Sequence, residues 1–401
     1  MKSRWNGLFL ANLWGVFNDN LLKNAIIFIA VGWSLPEWMT QSQLITIASA
    51  SLVFPYLVFS PLAGKLTVRY SGLPVFRFFK LVEFPIMMLA GLAFIMQSVG
   101  LAITSMFLMG IQSALFSPAK YSLIRQIGGK SGSAFGSGMF ETMAFAGILT
   151  GTLVAGFLAD HQSVVLLVVV FMLLTIAGYV STLFIKVQKK ELPDTNYRQL
   201  TVNPIIFLRD TFLLSHQFPG VNRAVVGVAV FWGIGALLQM NIVLHARVTL
   251  EASATATGVV MATAAIGIAL GAWLAGVLAK FISDRHLIIW GLTGMILALL
   301  IILVANLNIS GFSAAVFVTA FSGAFFQVPN LAVIQRADTN RIAGQILAYM
   351  NLVVFIFVLL GTTLFSITTS ISAENSMAVF AVLLLICVFA LVFYRRKPHQ
   401  N

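Results

Sequence analysis

Long hydrophobic runs alternate with short polar connections along the whole chain, and this pattern predicts an all-helical protein. Twelve of the runs have lengths close to 20 residues, which is about what an α-helix needs to cross roughly 30 Å of hydrocarbon. A helix satisfies its backbone polar groups within one segment, so it is the expected form in a membrane. The predicted spans are 7 to 33, 43 to 63, 74 to 95, 98 to 118, 134 to 159, 163 to 186, 223 to 246, 256 to 279, 286 to 306, 310 to 329, 342 to 368 and 374 to 394.

One long hydrophilic connection, from Lys186 to Arg223, divides the predicted helices into six and six. We therefore expect an N-terminal six-helix bundle at 1–186, a cytoplasmic linker at 187–222 and a C-terminal six-helix bundle at 223–401. This is the layout of the major facilitator fold, in which two bundles with inverted repeats rock about a central site. The predicted fold class is thus an all-α membrane protein with twelve transmembrane helices.

A faint internal repeat supports two related halves. When Pro118, after the fourth predicted helix, is superposed on Pro329, at the tenth, Arg125 coincides with Arg336. The match is short, but it falls at equivalent positions of the two predicted bundles.

Composition supports the membrane prediction. The chain is 59% hydrophobic and 9% charged, with a mean hydropathy of +0.97, which leaves too little polar surface for a soluble globule of 401 residues. The single cysteine, Cys387, excludes an intramolecular disulfide.

The net charge of +12 reflects topology rather than nucleic-acid binding. Almost all basic residues outside the helix interiors fall in connections on one predicted side, and the opposite connections hold only Arg247. The positive-inside rule therefore places both termini in the cytoplasm, and the basic side could also favour anionic lipid headgroups. The basic residues on that side are those of the stretch 186–223 together with Lys2, Arg4, Lys65, Arg69, Arg77, Lys80, Lys120, Arg125, Lys130, Lys280, Arg285, Arg336, Arg341, Arg395, Arg396 and Lys397.

Signatures of an enzyme are absent from the sequence. No histidine is followed at the fifth position by aspartate, as a lipid acyltransferase would need, and no GxxxxGK[ST] loop could bind ATP. No cluster of His, Cys and acidic residues suggests a metal site. We therefore expect neither an enzymatic activity nor a cofactor.

The first predicted helix carries an unusual polar stripe. Asn12, Asp19 and Lys23 share one face, and Asn20 borders it. Asp19 would lie about 18 Å deep. A charge there costs about 2.5 kcal/mol or more unless it faces protein or water, so the stripe is predicted to face a central cavity. The alternative is that Asp19 and Lys23 pair with each other only for helix packing. The remaining amides are expected to serve helix contacts: Asn18 and Asn24.

Further polar candidates lie in the fourth and fifth predicted helices. Glu141 would lie about 10 Å into the membrane without a basic residue in its own helix, which indicates a functional role. Lys120, followed by Tyr121, either anchors at the interface or reaches Glu141 or a lipid phosphate. Gly147 and Gly151 form a GxxxG pair, which is typical of helix packing.

The second half offers aromatic and amide groups. Trp232 and Gln239 are seven residues apart in the seventh predicted helix, so they share a face and could line the cavity. Asn351 is the counterpart of Glu141 in the eleventh. In the first half, Lys80 and Glu83 are interpreted as a structural pair near the inner surface.

Five stretches match a known family. They are FNDNLLKNA at 17–25, FSPAKYSLIRQI at 116–127, SGMFETMAFAGILTGTLVAGFLAD at 137–160, FWGIGALL at 231–238 and GAFFQVPNLAVIQ at 323–335. With them the chain resembles the bacterial lysophospholipid transporter family of the major facilitator superfamily, over roughly residues 8 to 395.

The resemblance implies a flippase of the bacterial inner membrane that moves lysophosphatidylethanolamine and lysophosphatidylglycerol to the inner leaflet. A separate cytoplasmic acyltransferase would restore the missing acyl chain and complete phospholipid remodelling. The resemblance also associates Asp19, Asn20, Lys120 and Glu141 with headgroup handling or gating. The expected partners are the lysophospholipid and membrane lipids, without nucleic acid, and a monomer is expected.

One departure from the family matters. Its members carry an arginine in the seventh helix where this chain has Gln239. If that arginine reads the phosphate, Lys23 or Lys120 must replace it, or the substrate differs.

Two other functions stay open at this point. One is a proton-coupled exporter of amphipathic drugs or siderophores, with Asp19 or Glu141 carrying the proton. The other is a membrane scaffold or sensor without a substrate.

Overall fold

A computed structural model describes residues 4–37, 39–161, 163–187, 200–339, 342–372 and 375–396, and every regular element in these ranges is a helix. The α-helices are α1 (Asn6–Phe28), α2 (Gln41–Tyr70), α3 (Gly72–Ile95), α4 (Val99–Asp160), α5 (Val164–Leu183), α6 (Pro204–Ser215), α7 (Val221–Leu244), α8 (Ala254–Leu278), α9 (Asp284–Val304), α10 (Ile309–Arg336), α11 (Ala343–Ile371) and α12 (Ser376–Arg395). A 3₁₀ turn at Ala30–Gly32 follows α1, and a π-helical turn at His245–Thr249 follows α7. Six basic residues used to predict the orientation lie outside the described ranges: Lys2, Lys189, Lys190, Arg198, Arg341 and Lys397.

The helices have the lengths that a membrane requires. Within the described ranges, ten are long and apolar enough to cross a bilayer, and α4, with 62 residues, is long enough for two passes. α1 is not among the ten because its polar residues, Asp19 and Lys23 among them, lower its hydropathy. The predicted all-α membrane fold is confirmed.

α4 differs from the prediction. The fourth and fifth predicted helices were separated by a connection at 119–133, but these residues are helical except at Gly129. Gly129 has φ 59° and ψ −164°, a conformation that glycine adopts without steric cost. The two predicted helices are thus present, but they extend further than predicted, and Gly129 alone separates them.

A short helix, α6, lies in the predicted linker, where the sequence interpretation placed no helix. Asn203 begins it: the side-chain oxygen accepts hydrogen bonds from the next backbone amides along the helix, at 3.0 and 3.2 Å. Its buried stripe is Phe207, Thr211 and Ser215. Thr211 accepts a hydrogen bond from the side-chain amide of Gln345 in α11 at 3.0 Å, which fixes α6 on the protein. Residues 188–199 of the linker lie outside the described part of the chain.

The contacts divide the chain into two compact units. Unit 1 consists of Met1–Gly129, Ala146–Ser215 and Asp338–Leu352. Unit 2 consists of Lys130–Phe145, His216–Ala337 and Val353–Asn401. The helices α4 and α11 thus contribute residues to both units. The division of the chain into two six-helix bundles at the linker 187–222 stays a prediction.

Glycines bring pairs of helices into close contact inside each unit. In unit 1, a Cβ added at Gly151 would lie 2.7 Å from the carbonyl oxygen of Phe17 in α1. In unit 2, a Cβ added at Gly361 of α11 would lie 2.5 Å from the carbonyl oxygen of Gly233 in α7. The Gly147–Gly151 pair therefore serves packing, as predicted, because a Cβ at Gly147 would also press on α1.

Candidate functional site

The carboxylate of Asp19 lies half-buried on α1 and faces α4. Its Oδ2 accepts a hydrogen bond from the hydroxyl of Ser113, which is buried in α4, at 3.2 Å. Apolar residues around the rest of α1, such as Leu21 and Leu22, hold the helix in the core of unit 1. The helix therefore presents Asp19 to α4.

Lys23 does not neutralise Asp19 by direct pairing. Although the two residues are four apart on α1, the ion pairs found in the described ranges do not include one between them. Lys23 is half-buried and feels the charge of Asp19 at longer range. Asn20 donates a hydrogen bond to the carbonyl oxygen of Val16 in its own helix at 2.8 Å. The packing-only alternative for Asp19 and Lys23 therefore does not describe the structure.

An ion pair on α3 lies beside the polar stripe of α1. Lys80 Nζ and Glu83 Oε2, both on α3, are 2.6 Å apart, and each side chain is only 1% exposed. Asn18 Nδ2 donates to Glu83 Oε1 at 2.8 Å and to the hydroxyl of Thr175 in α5 at 3.0 Å. The predicted pair is thus formed, and it is buried among α1, α3 and α5. Its position near the inner membrane surface stays a prediction.

Lys120 lies over aromatic rings of its own helix. Its ammonium nitrogen is 5.3 Å from the centroid of Phe116 and 5.8 Å from that of Tyr121. It also makes a long contact of 3.5 Å to Asn12 Oδ1 on α1. The ammonium of Lys80 is 5.8 Å from the same Phe116 ring, so two cations approach one aromatic side chain.

Serines of α4 extend the polar site to other helices of unit 1. Ser117, one turn after Ser113, accepts a hydrogen bond from Asn351 Nδ2 of α11 at 2.9 Å. Tyr56 of α2 lies close to Ser117 and to Asp19. The buried Asn351 is therefore connected through α4 to the surroundings of Asp19.

The remaining candidates lie in unit 2. Glu141 is buried, with 1% of the residue exposed. Trp232 is half-buried and stacks on Phe145, with centroids 5.9 Å apart and planes inclined by 15°. Gln239 is exposed, and a Cβ at Gly235, between Trp232 and Gln239, would meet no atom within 4 Å. This face of α7 is therefore open within its unit.

The structure groups the predicted site residues by unit. Unit 1 contains Asp19, Asn20, Lys23, Lys120, Tyr121 and Asn351. Unit 2 contains Glu141, Trp232 and Gln239. The sequence interpretation missed Tyr56, Ser113 and Ser117, and it gave Asn18, Lys80 and Glu83 only structural roles. The desolvation cost that identified Asp19 also applies to charges inside α3, and it could have identified Lys80 and Glu83.

We call Asp19, Lys80, Glu83 and Lys120, with Asn18 and Ser113, the charged cluster. It places two carboxylates and two ammonium groups in the otherwise apolar interior of unit 1. Ammonium groups bind phosphate oxygens and carboxylates bind ammonium groups, so the cluster can recognise a zwitterionic group. Within the described ranges, no group of three or more His, Cys, Asp and Glu is placed to hold a metal ion.

Comparison with known proteins identifies relatives over most of the chain. A protein of Photorhabdus laumondii named Lysophospholipid transporter LplT is 26% identical over 372 residues, which cover 91% of this chain and 88% of the relative. The protein of the same name from Salmonella arizonae is 26% identical over 397 residues, covering 97% and 95%. No protein-family model matches the chain. The resemblance found in the sequence is confirmed by these relatives.

Solved structures identify the fold. The E. coli fucose:proton symporter FucP superposes with a TM-score of 0.74 at 12% identity, covering 98% of each chain. The human organic anion transporter MFSD10 superposes with a TM-score of 0.75 at 14% identity, covering 97% of this chain and 99% of that protein. The chain therefore has the fold of the major facilitator superfamily and is a multi-pass membrane protein. Its relatives and structural neighbours are transporters, which supports transport and is consistent with the absence of an enzymatic activity.

Proposed function

We propose that this protein transports lysophospholipids, chiefly lysophosphatidylethanolamine and lysophosphatidylglycerol, to the inner leaflet of a bacterial inner membrane by alternating access. The observation that carries the proposal is the charged cluster inside a unit made of apolar membrane helices. A lysophospholipid combines one apolar tail with a charged headgroup. A carrier for it needs charges at membrane depth and apolar helices around them.

The cluster and the nearby Lys23 supply both charges that a phosphoethanolamine headgroup needs. Asp19 is half-buried and its other oxygen can accept a hydrogen bond from an ammonium group. Lys120 and Lys23 are half-buried cations that can bind the phosphate. In this proposal Asn20 and Tyr121 border the headgroup, while Glu141, Trp232, Gln239 and Asn351 act later in the transport cycle.

The replacement of the family's seventh-helix arginine is part of the proposal. Gln239 lies on the open face of α7 and carries no charge. We therefore assign the phosphate to Lys120 and Lys23. Lys23 is suited to this because it has no ion-pair partner on its own helix.

The biological setting follows from the same function. A lysophospholipid delivered to the inner leaflet would be reacylated by a separate cytoplasmic acyltransferase. Both termini would lie in the cytoplasm, as the distribution of basic residues predicts. The protein would act as a monomer without a cofactor.

Uptake of labelled lysophosphatidylethanolamine by spheroplasts tests the function. We expect Asp19→Ala to reduce the initial rate at least about tenfold, because a lost charge-assisted hydrogen bond is worth about 1.5–3 kcal/mol. Asp210→Asn is the matched control, since Asp210 is exposed on α6 and pairs with the neighbouring Arg209. Its rate is expected to equal that of the wild type.

The alternative functions give different results in proteoliposomes. Flipping of lysophosphatidylethanolamine without a pH gradient supports the proposal. Efflux of amphipathic drugs driven by a pH gradient, without lipid flipping, would indicate the proton-coupled exporter. Full activity of Asp19→Ala in cells would favour a scaffold or sensor.

A further inference from the structure

The ion pair between Lys80 and Glu83 is more deeply buried than a structural role requires. Both side chains are 1% exposed, and the nitrogen and oxygen are 2.6 Å apart. Taking two charges out of water is so unfavourable that well-packed apolar residues often stabilise a protein as well or better. The pair therefore contributes little that apolar side chains could not provide, unless its charges act on something else.

The surrounding helices are shaped around the ammonium group of Lys80. A Cβ at Gly15 of α1 would lie 2.6 Å from Lys80 Nζ, and a Cβ at Gly178 of α5 would lie 3.4 Å from it. Alanine at Gly15 would displace the ammonium group from its place. Two helices thus provide room for this cation.

Glu83 is connected to the neighbour of Asp19 in the sequence. Asn18 Nδ2 donates to Glu83 Oε1 at 2.8 Å, so the carboxylate of α3 is fixed against α1 one residue before Asp19. The ammonium group of Lys80 instead lies against Gly15, one turn before Asp19 on α1. The two charges of the pair are therefore placed differently with respect to Asp19, and they do not act on it equally.

The cluster as a whole is balanced. Its two carboxylates and two ammonium groups carry a formal net charge of zero, and Lys23, one turn from Asp19 on α1, adds one positive charge beside them. The head of lysophosphatidylethanolamine is a zwitterion without net charge. Lysophosphatidylglycerol carries one net negative charge. A change of one charge in the pair alters the potential at Asp19 and so affects the two headgroups differently.

We propose that the Lys80–Glu83 pair determines the headgroup preference of the transporter by balancing the charge around Asp19. This inference rests on the proposed lysophospholipid function and adds two residues to it. Neither residue needs to touch the substrate. Both act as positioning and specificity-determining groups through the field that they create at Asp19.

Matched amide substitutions test the proposal. The purified transporter is titrated with the two lysophospholipids, each with the same acyl chain, and the ratio of their dissociation constants is compared. Glu83→Gln leaves Lys80 uncompensated, so we expect a shift of roughly tenfold, about 1.4 kcal/mol, toward lysophosphatidylglycerol. Lys80→Gln leaves Glu83 uncompensated and should shift the ratio in the opposite direction. The double variant should return the ratio to within about twofold of the wild type.

The opposite signs separate this role from a structural one. If the pair only held α1, α3 and α5 together, both single variants would weaken both ligands alike and leave the ratio unchanged. Arg336→Gln is the matched control, because it breaks the Arg336–Asp284 ion pair of unit 2. It should leave the ratio unchanged.

A single buried charge without its partner can prevent folding, so a second variant keeps the proposal open to test. The reversed pair, Lys80→Glu with Glu83→Lys, retains both charges and places the cation beside Asn18. We expect it to shift the ratio toward lysophosphatidylglycerol, as Glu83→Gln does. An unchanged ratio in folded variants overturns the inference alone. A wild-type protein that binds neither lysophospholipid overturns the proposed function as well.

Discussion

The helices α1 and α7 occupy corresponding places in the internal repeat and pack in the same way, but they carry different chemistry. The backbone of each packs closely against a glycine of a later helix: Gly151 lies against Phe17 of α1, and Gly361 lies against Gly233 of α7. α1 nevertheless carries Asp19, whereas α7 presents Trp232 and an uncharged amide. Packing is thus common to both repeats, and the charge is particular to the first.

The same contrast separates α3 from α9, the third helices of the two repeats. α3 buries Lys80 and Glu83 in its interior. α9 has its charges at its start, where Asp284 pairs with Arg336 of α10, and its interior is apolar. A helix in this position of the repeat can therefore have an apolar interior. Under the proposed function, the charges inside α3 serve the charged headgroup.

The largest expected effect tests whether the packing is truly equivalent. In an exposed helix, replacing glycine with alanine stabilises by up to about 1 kcal/mol. We expect the reverse for Gly151→Ala and Gly361→Ala, each destabilising by about 1–3 kcal/mol, because the new Cβ would press on a backbone oxygen. Thermal unfolding in detergent measures both.

Two further glycines serve as controls for this experiment. A Cβ at Gly156 of α4 or at Gly235 of α7 would meet no atom within 4 Å. Alanine at either position should leave the unfolding temperature unchanged or raise it. If only one of Gly151→Ala and Gly361→Ala destabilises the protein, the two repeats do not share their packing.

Much of this comparison could be predicted from the sequence. Helix spans follow from hydrophobic length, and the polar stripe of α1 follows from the spacing of Asn12, Asp19 and Lys23. The GxxxG pair indicated a close helix contact, and the structure places it against α1. These features depend on residues within one helix, so a periodic pattern is enough to identify them.

The partners of the charged residues could not be predicted in the same way. Asp19 and Lys23 have the spacing of a helical ion pair, but Asp19 bonds to Ser113, which lies 94 residues away. Lys80 and Glu83 have a similar spacing and do pair, yet the sequence does not reveal that α1 and α5 cover them. Gly129 looked like part of a loop because its neighbours are polar, although only its own conformation departs from the helix.

A smaller effect is expected from adding a charge to the second repeat. Gln239→Arg places a guanidinium group on the open face of α7, where the family has an arginine. If the headgroup reaches this face during transport, the affinity for lysophosphatidylglycerol should rise about two- to fivefold, in the range of an exposed charge pair. Titration of the purified variant measures this affinity.

Gln239→Met controls for the loss of the amide and should change neither headgroup's affinity by more than about twofold, because no charge is added. An unchanged affinity for Gln239→Arg would mean that the headgroup does not approach α7. Lys120 and Lys23 of unit 1 would then form the only phosphate site in our proposal.

The smallest effects concern the two arginines that the internal repeat superposes. Arg336 Nη1 lies 2.5 Å from Asp284 Oδ2, and the two side chains are 31% and 23% exposed. Arg125 Nη2 lies 3.6 Å from Asp338 Oδ1, and Asp338 is 64% exposed. Asp284 also belongs to the first turn of α9, where a negative charge is favoured by the helix dipole.

We therefore expect Asp284→Asn to destabilise the protein by about 1 kcal/mol and Asp338→Asn by less than about 0.5 kcal/mol. Denaturation at low and high salt measures both losses. The difference between them should widen with salt, because salt screens the more exposed Arg125–Asp338 pair more strongly. Equal losses of stability in the two variants would show that both ion pairs contribute alike. The difference in charge between the two repeats would then be confined to the interiors of their helices.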